Sequence, residues 1–393
     1  MSIFENFKEI PGESDRIPSN LNRRNFGKLV VAGAIGGKAL LSSSVSEARE
    51  YVPGQKPNPS NVNIALQASS NPDEEELTWI KQLGVKYVVV WTGGKGATYE
   101  NFLKIRKTYE NAGINVWSIG NSSVHCNNMA PVALNLSNRD DKIKEYTTYL
   151  RNLGRAGVHY TTYGHLANGI WGTERGTTRG GAIPARSLDL VAAERGEATY
   201  GNTRYKDINT PTNGRAYSEE EMWDNFTHFI KIAAPVAEEA GVNISFHPAD
   251  PPMHVLGGIP RIFSSFDGFK RAMEIVDSPN VGLCLCVGCW LEGGDLLGKD
   301  VVETIHYFGK RNKLFKIHFR NVDQPLPHYI ETFLDDGYYD MYKVMKAIVE
   351  VNNTCTVIDD HRPRMVGGTR MAQAFHTGYM RALMERANEE LAG

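Results

Sequence analysis

Four residues able to bind a metal close four successive apolar runs in the second half of this chain. His247 ends the run Asn243–His247, Cys286 ends Gly282–Cys286, His318 ends Leu314–His318, and Asp360 follows Thr356–Asp359. Two imidazoles, a thiolate and a carboxylate form a donor set for a divalent transition metal. A carboxylate–imidazole set with open positions suits Mn²⁺ or Fe²⁺, whereas the thiolate favours Zn²⁺. Mn²⁺ is the leading expectation, with Fe²⁺ or Zn²⁺ as alternatives. Taken singly, each residue has a plainer reading. A histidine at a strand end is more often a hydrogen-bonded structural residue, and a lone strand cysteine is more often core. Cys284 and Cys289 take that plainer reading. Asp359, by strand alternation, should point away from Asp360. Recurrence at four consecutive strand ends is what carries the metal reading.

Such a set can converge only if the strand ends converge. Past Pro59, β-branched or aromatic runs alternate with amphipathic ones. Strands are expected at Val62–Gln67, Lys86–Trp91, Asn115–Ile119, His159–Tyr163, Asn243–His247, Gly282–Cys286, Leu314–His318 and Thr356–Asp359. Helical patterns are expected at Asp73–Leu83, Tyr99–Asn111, Asp140–Arg155, Glu219–Ala240, Phe266–Val276, Lys299–Gly309, Tyr339–Val351 and Arg370–Leu391. Alternation of this kind implies parallel pairing, and eight strand–helix pairs point to an α/β (β/α)₈ TIM barrel with its chemistry at the C-terminal mouth. An open doubly wound sheet is the rival, but no G-x-G-x-x-G follows the first strand. One stretch breaks the rhythm. Residues 166–217, rich in Gly, Thr and Arg, read as a long loop after strand 4, on the face where barrel enzymes work.

The charge balance, 43 Lys+Arg against 45 Asp+Glu, argues against a protein built to grip nucleic acid or an anionic membrane. No run approaches the roughly 20 apolar residues of a spanning helix, so no stable membrane insertion is expected. Five cysteines in 393 residues do not make a disulfide scaffold. The N-terminus reads as an address. Asn22-Arg23-Arg24-Asn25-Phe26-Gly27-Lys28 precedes an apolar, glycine-rich run from Leu29 to Leu41, then small residues at Ser46 and Ala48. This resembles a twin-arginine export signal, so residues 1–48 are expected to direct the protein to the periplasm. Residues 49–393 then form a single catalytic barrel domain.

The C-terminal 40% or so of the chain resembles mannonate dehydratase, a metal-dependent barrel family of xylose-isomerase-like type. The ordered matches include His247-Pro248-Ala249-Asp250-Pro251-Pro252, Gly258-Ile259-Pro260-Arg261-Ile262, Cys286-Val287-Gly288, Ile317-His318-Phe319-Arg320, Asp360-His361 and Gly378-Tyr379. The N-terminal half matches loosely at Ala112–Ser118, Val124-His125 and Trp171. The resemblance implies that His247, Cys286, His318 and Asp360 hold the metal. It also implies that His361 and Tyr379 are the acid–base pair and that Arg320, Asp250 and His125 bind substrate. The reaction it implies removes water from D-mannonate, giving 2-keto-3-deoxy-D-gluconate, a step of glucuronate catabolism.

The chain departs from the family pattern around the substrate. Ala249 replaces the first of two aspartates, Arg362-Pro363 replace Gly-His, and Asn121 and Cys126 stand where the family has glutamates. The arginine-bearing loop after Trp171 is longer, so Arg175, Arg179 and Arg186 compete for one role. D-mannonate or a related aldonate is therefore the expected substrate. A metal-dependent sugar isomerase or epimerase of the same superfamily, and a non-catalytic carbohydrate-binding barrel, are the alternatives. The partner is a small sugar acid or sugar, and a homo-oligomer is compatible with the sequence.

Overall fold

A computed structural model describes residues 58–393; the expected export signal at residues 1–48 lies outside the described residues. Eight strands form one parallel sheet: β1 (Val62–Ala68), β2 (Tyr87–Thr92), β3 (Asn115–Asn121), β4 (Tyr160–Tyr163), β5 (Asn243–Phe246), β6 (Val281–Cys286), β7 (Leu314–His318) and β8 (Cys355–Ile358). Each expected strand is present within a residue or two of its expected bounds. The hydrogen-bonded order is β3-β2-β1-β8-β7-β6-β5-β4, so the chain runs around a nearly closed barrel. The one unladdered seam, between β3 and β4, is bridged by a side chain. Tyr149 donates to the Ile119 carbonyl at 2.6 Å and sits 2.8 Å from Thr161 Oγ1.

The outer helices are α1 (Glu74–Gln82), α2 (Tyr99–Asn111), α3 (Arg139–Arg155), α4 (Glu219–Ala240), α5 (Phe266–Ile275), α6 (Val301–Gly309), α7 (Met341–Val351) and α8 (Thr369–Ala392). Most begin where a short polar side chain satisfies first-turn amides: Asp73, Thr98, Ser218, Ser265, Asp300 and Asp340 each do so. At α4, Ser218 and Glu221 cap each other's backbone amides, a reciprocal arrangement typically worth about 1 kcal/mol. The helix stops at Gly241, whose φ of 62° suits a residue with no Cβ. Buried aliphatic and aromatic side chains between sheet and helices form the main core. Among the described residues, no helix is long and apolar enough to cross a membrane.

The stretch read as a loop, residues 166–217, carries structure of its own. Ser187–Asp189 pairs antiparallel with His328–Thr332, which in turn pairs with Asn321–Val322. This three-stranded cap joins the loops after β4 and β7. A short helix (Leu190–Glu194) and a tight hairpin (Thr199–Tyr200 with Thr203–Arg204) follow. Trp171 stacks flat on Tyr205 at 3.7 Å between centroids and anchors the segment. Strands of two to five residues with remote partners leave too little periodicity to read, so the cap is not visible in the sequence.

Candidate metal centre and active site

The strand ends bring the four expected donors together. One ligating atom from each of His247, Cys286, His318 and Asp360 lies within 4.8 Å of all the others. A register irregularity at Leu283/Cys284 brings Cys286 level with His318 across β6 and β7; such irregularities commonly re-aim side chains beside active sites. His247 follows the last residue of β5, and its amide donates to the Tyr163 carbonyl at 2.9 Å. Asp360 adopts φ 51°, a left-handed conformation that aspartate tolerates better than most residues. That turn, two residues beyond β8, breaks strand alternation. Asp360 and His361 both reach the cluster, while Asp359 points away and pairs with Arg362 at 2.5 Å.

The tautomers follow from partners. His247 Nδ1 donates to the Pro248 carbonyl at 2.8 Å, which leaves Nε2 as the electron-pair donor. That nitrogen stands 3.1 Å from His318 Nδ1, itself 3.1 Å from Asp360 Oδ2. His318 Nε2 faces the Cys284 sulfur at 3.5 Å. Cys284 was expected to be plain core; it is buried, but it also backs the His318 ring.

Electrostatics favour a cation at this point. Burial alone would raise the Cys286 thiol, but a hydrogen bond with Cys289 and the Arg320 guanidinium hold it well below a free thiol. Burial would likewise raise Asp360, yet His318 and His361 keep its carboxyl far below the usual range. Burial opposes a charged His318, but Asp360 and Cys284 overcome it and push that imidazole well up. The Cys286 sulfur, the Asp360 carboxylate and inward-facing nitrogens of His247 and His318 thus converge on one point. This donor set fits a divalent transition metal.

His361 Nε2 lies 3.4 Å from Asp360 Oδ2 and 3.1 Å from Arg186 Nη2, and its Nδ1 lies 3.0 Å from Glu331 Oε1. Of the three arginines in the long loop, Arg186 is therefore the one at the site. Arg179 pairs with Asp335 at 2.9 Å, and Arg175 is exposed. Arg186 also grips Asp250, which is 1% exposed.

Arg320, expected to bind substrate, is enclosed by counter-charges. It is 2% exposed and touches Glu331, Glu292 at 3.0 Å, Asp250 at 3.7 Å and the Cys286 sulfur at 2.8 Å. Its charge is met by buried carboxylates and the Cys286 sulfur. Cys289, expected to be core, sits 3.4 Å from the same guanidinium and groups with Asp250 and Glu292.

His125 stacks edge-on against Trp91 at 4.7 Å between centroids. Burial, with help from His247, lowers it to about 3, so it is a neutral imidazole beside the cluster. Tyr379 is not brought to the site. It lies on α8, partly buried against the core, and burial, then Asp335 and Asp340, raise its phenol. No hydrogen bond or ion pair joins it to the cluster among the described residues. Helix α8 instead presents His376 to the barrel, 3.5 Å from Asp359.

Glu331 and Glu292 were missed entirely. No motif marks them, and both sit outside the eight strands; a carboxylate inside an otherwise apolar run, as in Tyr329-Ile330-Glu331-Thr332-Phe333, was the one available signal.

Known proteins bear on this geometry directly. The D-mannonate dehydratase (UxuA) family profile matches residues 204–388. A mannonate dehydratase of Streptococcus suis (strain 05ZYH33) is 30% identical over 295 residues, spanning 70% of this chain and 76% of that one. One from Streptococcus pneumoniae (strain 70585) is 29% identical over 289 residues, with the same coverage. The solved mannonate dehydratase from Streptococcus suis serotype 2 superposes with a TM-score of 0.70 at 25% identity, over 85% of this chain and 95% of that one. A xylose isomerase domain protein from Planctomyces limnophilus shares the fold at 12% identity and TM-score 0.53, over 83% of this chain and 98% of that one. Similarity of this extent, in sequence and in fold, leads to one conclusion: the chain belongs to the mannonate dehydratase family of lyases.

Proposed function

We propose that the protein is a metal-dependent hydro-lyase that removes water from a sugar acid, D-mannonate or a close aldonate, to give the 2-keto-3-deoxy acid. The observation that carries this reading is the placement of His361. Its ring stands against the convergent set His247, Cys286, His318 and Asp360, with Nε2 3.4 Å from Asp360 Oδ2. Mn²⁺ is the proposed metal, ahead of Fe²⁺ and Zn²⁺. His247, Cys286, His318 and Asp360 would hold such a metal, which would supply Lewis-acid stabilisation of the negative charge that develops on the substrate carboxylate.

The chain's own residues supply the rest. The C2–H bond breaks as its proton passes to His361 Nε2, the C3–O bond breaks, and the protonated imidazole returns that proton to the hydroxyl, which leaves as water. The resulting enol relaxes to the ketone. His361 Nε2 is the proton-moving atom. Arg186 reaches the same imidazole from beside the cap and is proposed to orient the acid group, in place of Arg320, whose guanidinium is already paired with Glu331 and Glu292. Asp250 anchors Arg186 rather than touching substrate.

Purified protein with Mn²⁺, offered a panel of aldonic acids and sugars, should form a 2-keto-3-deoxy product from an aldonate. Isomerised sugar without water loss would establish an epimerase or isomerase instead. Binding without turnover would establish a carbohydrate-binding barrel.

We also propose that residues 1–48 export the folded protein to the periplasm. The paired Arg23-Arg24 before the apolar run supports this. A reporter fused after residue 60 should reach the periplasm, and Arg23→Lys with Arg24→Lys should hold it in the cytoplasm. Cytoplasmic retention of the unaltered fusion would end the proposal.

A further inference from the structure

We infer that Glu331 is a positioning residue that fixes the tautomer and orientation of His361. The inference rests on the proton-moving role proposed for that histidine. Glu331 sits on the central strand of the cap, 2% exposed, thirty positions before His361 in the sequence. Its Oε1 faces His361 Nδ1 at 3.0 Å, while Arg186 Nη2 faces Nε2 on the far side of the ring at 3.1 Å. A guanidinium can only donate, and an ionised carboxylate can only accept. One neutral form of the imidazole satisfies both partners: Nδ1–H donating to Glu331, and Nε2 offering its electron pair. The opposite tautomer would set N–H against N–H at Arg186 and electron pair against electron pair at Glu331.

Glu331 is held from behind as well. Arg320 bonds to the same Oε1 through Nη1 and to the Cys286 sulfur through Nη2 at 2.8 Å. One guanidinium therefore links the carboxylate that orients the histidine to a ligand of the proposed metal. Asp360, the other carboxylate beside His361, is committed to the donor cluster, so the orienting task falls to Glu331. Preorganised partners of this kind act by removing wrong tautomers and wrong ring angles.

The test is a double-substitution cycle on the Mn²⁺-loaded enzyme. Glu331→Gln should lower kcat at least about tenfold, leaving KM and bound Mn²⁺ near wild type, and Glu331→Asp should recover part of the loss. In a His361→Asn background, Glu331→Gln should cost nothing further. An equal loss in both backgrounds, or loss of Mn²⁺ from Glu331→Gln, would make Glu331 a structural buttress and overturn the inference. A second measurement needs neither variant to fold nor turnover to occur. In the Zn²⁺-loaded, ¹⁵N-histidine-labelled protein at neutral pH, the His361 proton should reside on Nδ1; finding it on Nε2 would overturn the inference. Absence of dehydratase activity in the wild type would instead count against the proposed function, with the tautomer result standing by itself.

Discussion

The backbone amide of Glu331 donates to the carbonyl of Arg186 at 3.0 Å. Two side chains that converge on one imidazole are thus coupled through a single backbone bond of the cap sheet, although 145 positions separate them in the chain. Arg186 divides its two terminal nitrogens between Asp250 and His361. Lysine presents one ammonium and cannot reproduce that fork. Arg186→Lys should therefore lower kcat/KM by roughly 10- to 100-fold, with metal content unchanged. Steady-state kinetics alongside elemental analysis check this. Coincident loss of metal would show that the cap supports the cluster and not the substrate.

The donor set makes a separate prediction. His247→Ala and His318→Ala should each abolish both metal retention and turnover, since each removes one of four donors in a buried site. Asp360→Asn keeps an oxygen but loses the charge, so it should bind metal more weakly and regain part of its activity in excess Mn²⁺. Dialysis against a chelator should inactivate the wild type, and added Mn²⁺ should restore it. Full activity in the chelated wild type would remove the metal from the mechanism.

Much of this was legible in the sequence because barrel geometry converts order into proximity. Cys286 and His318 end their strands, His247 and Asp360 lie one and two residues past theirs, and strand ends meet at one mouth. The eight strands themselves were readable as β-branched runs of ordinary length. Glu331 and Arg186 were not readable in the same way. Glu331 sits on a five-residue cap strand and Arg186 immediately precedes a three-residue one; the partners are remote, and only tertiary pairing defines them. Arg320 illustrates a different limit. Its position after β7 was read correctly, but its task depends on Asp250 after β5, Glu292 after β6 and Glu331 further along its own segment after β7, which consume its charge. A residue's place in a motif says where its backbone is, not which counter-charges will surround it.

Gly288 tests that crowding. It follows Cys286 by two residues, and a Cβ there would stand 2.6 Å from Arg320 Cζ. The guanidinium is locked on several sides, so it has little room to give way. Gly288→Ala should destabilise the fold by about 1–3 kcal/mol, the usual range for overpacking a filled interior, and should loosen the metal as Arg320 shifts from the Cys286 sulfur. Urea unfolding and metal titration would measure both. An unaltered urea midpoint would mean that Arg320 is far less constrained than its contacts imply.

The last prediction separates the two residues that the family resemblance paired. His361 touches Asp360, Glu331 and Arg186, whereas Tyr379 lies on α8 with Asp335 and Asp340 as its charged neighbours. A proton can be moved only by a group within reach of the reacting atoms, about 3 Å directly or through one water. His361→Asn should accordingly keep fold and metal while slowing turnover by roughly 10²-fold or more, the size of an acid–base contribution. Tyr379→Phe removes a half-buried hydroxyl that has no partner tying it to the cluster, so kcat should stay within about threefold of wild type, far short of an acid–base contribution. Side-by-side kinetics of the two variants decide the matter. A loss in Tyr379→Phe comparable to that in His361→Asn would mean that α8 moves toward the mouth when substrate binds, delivering the phenol that the free enzyme holds in its outer layer.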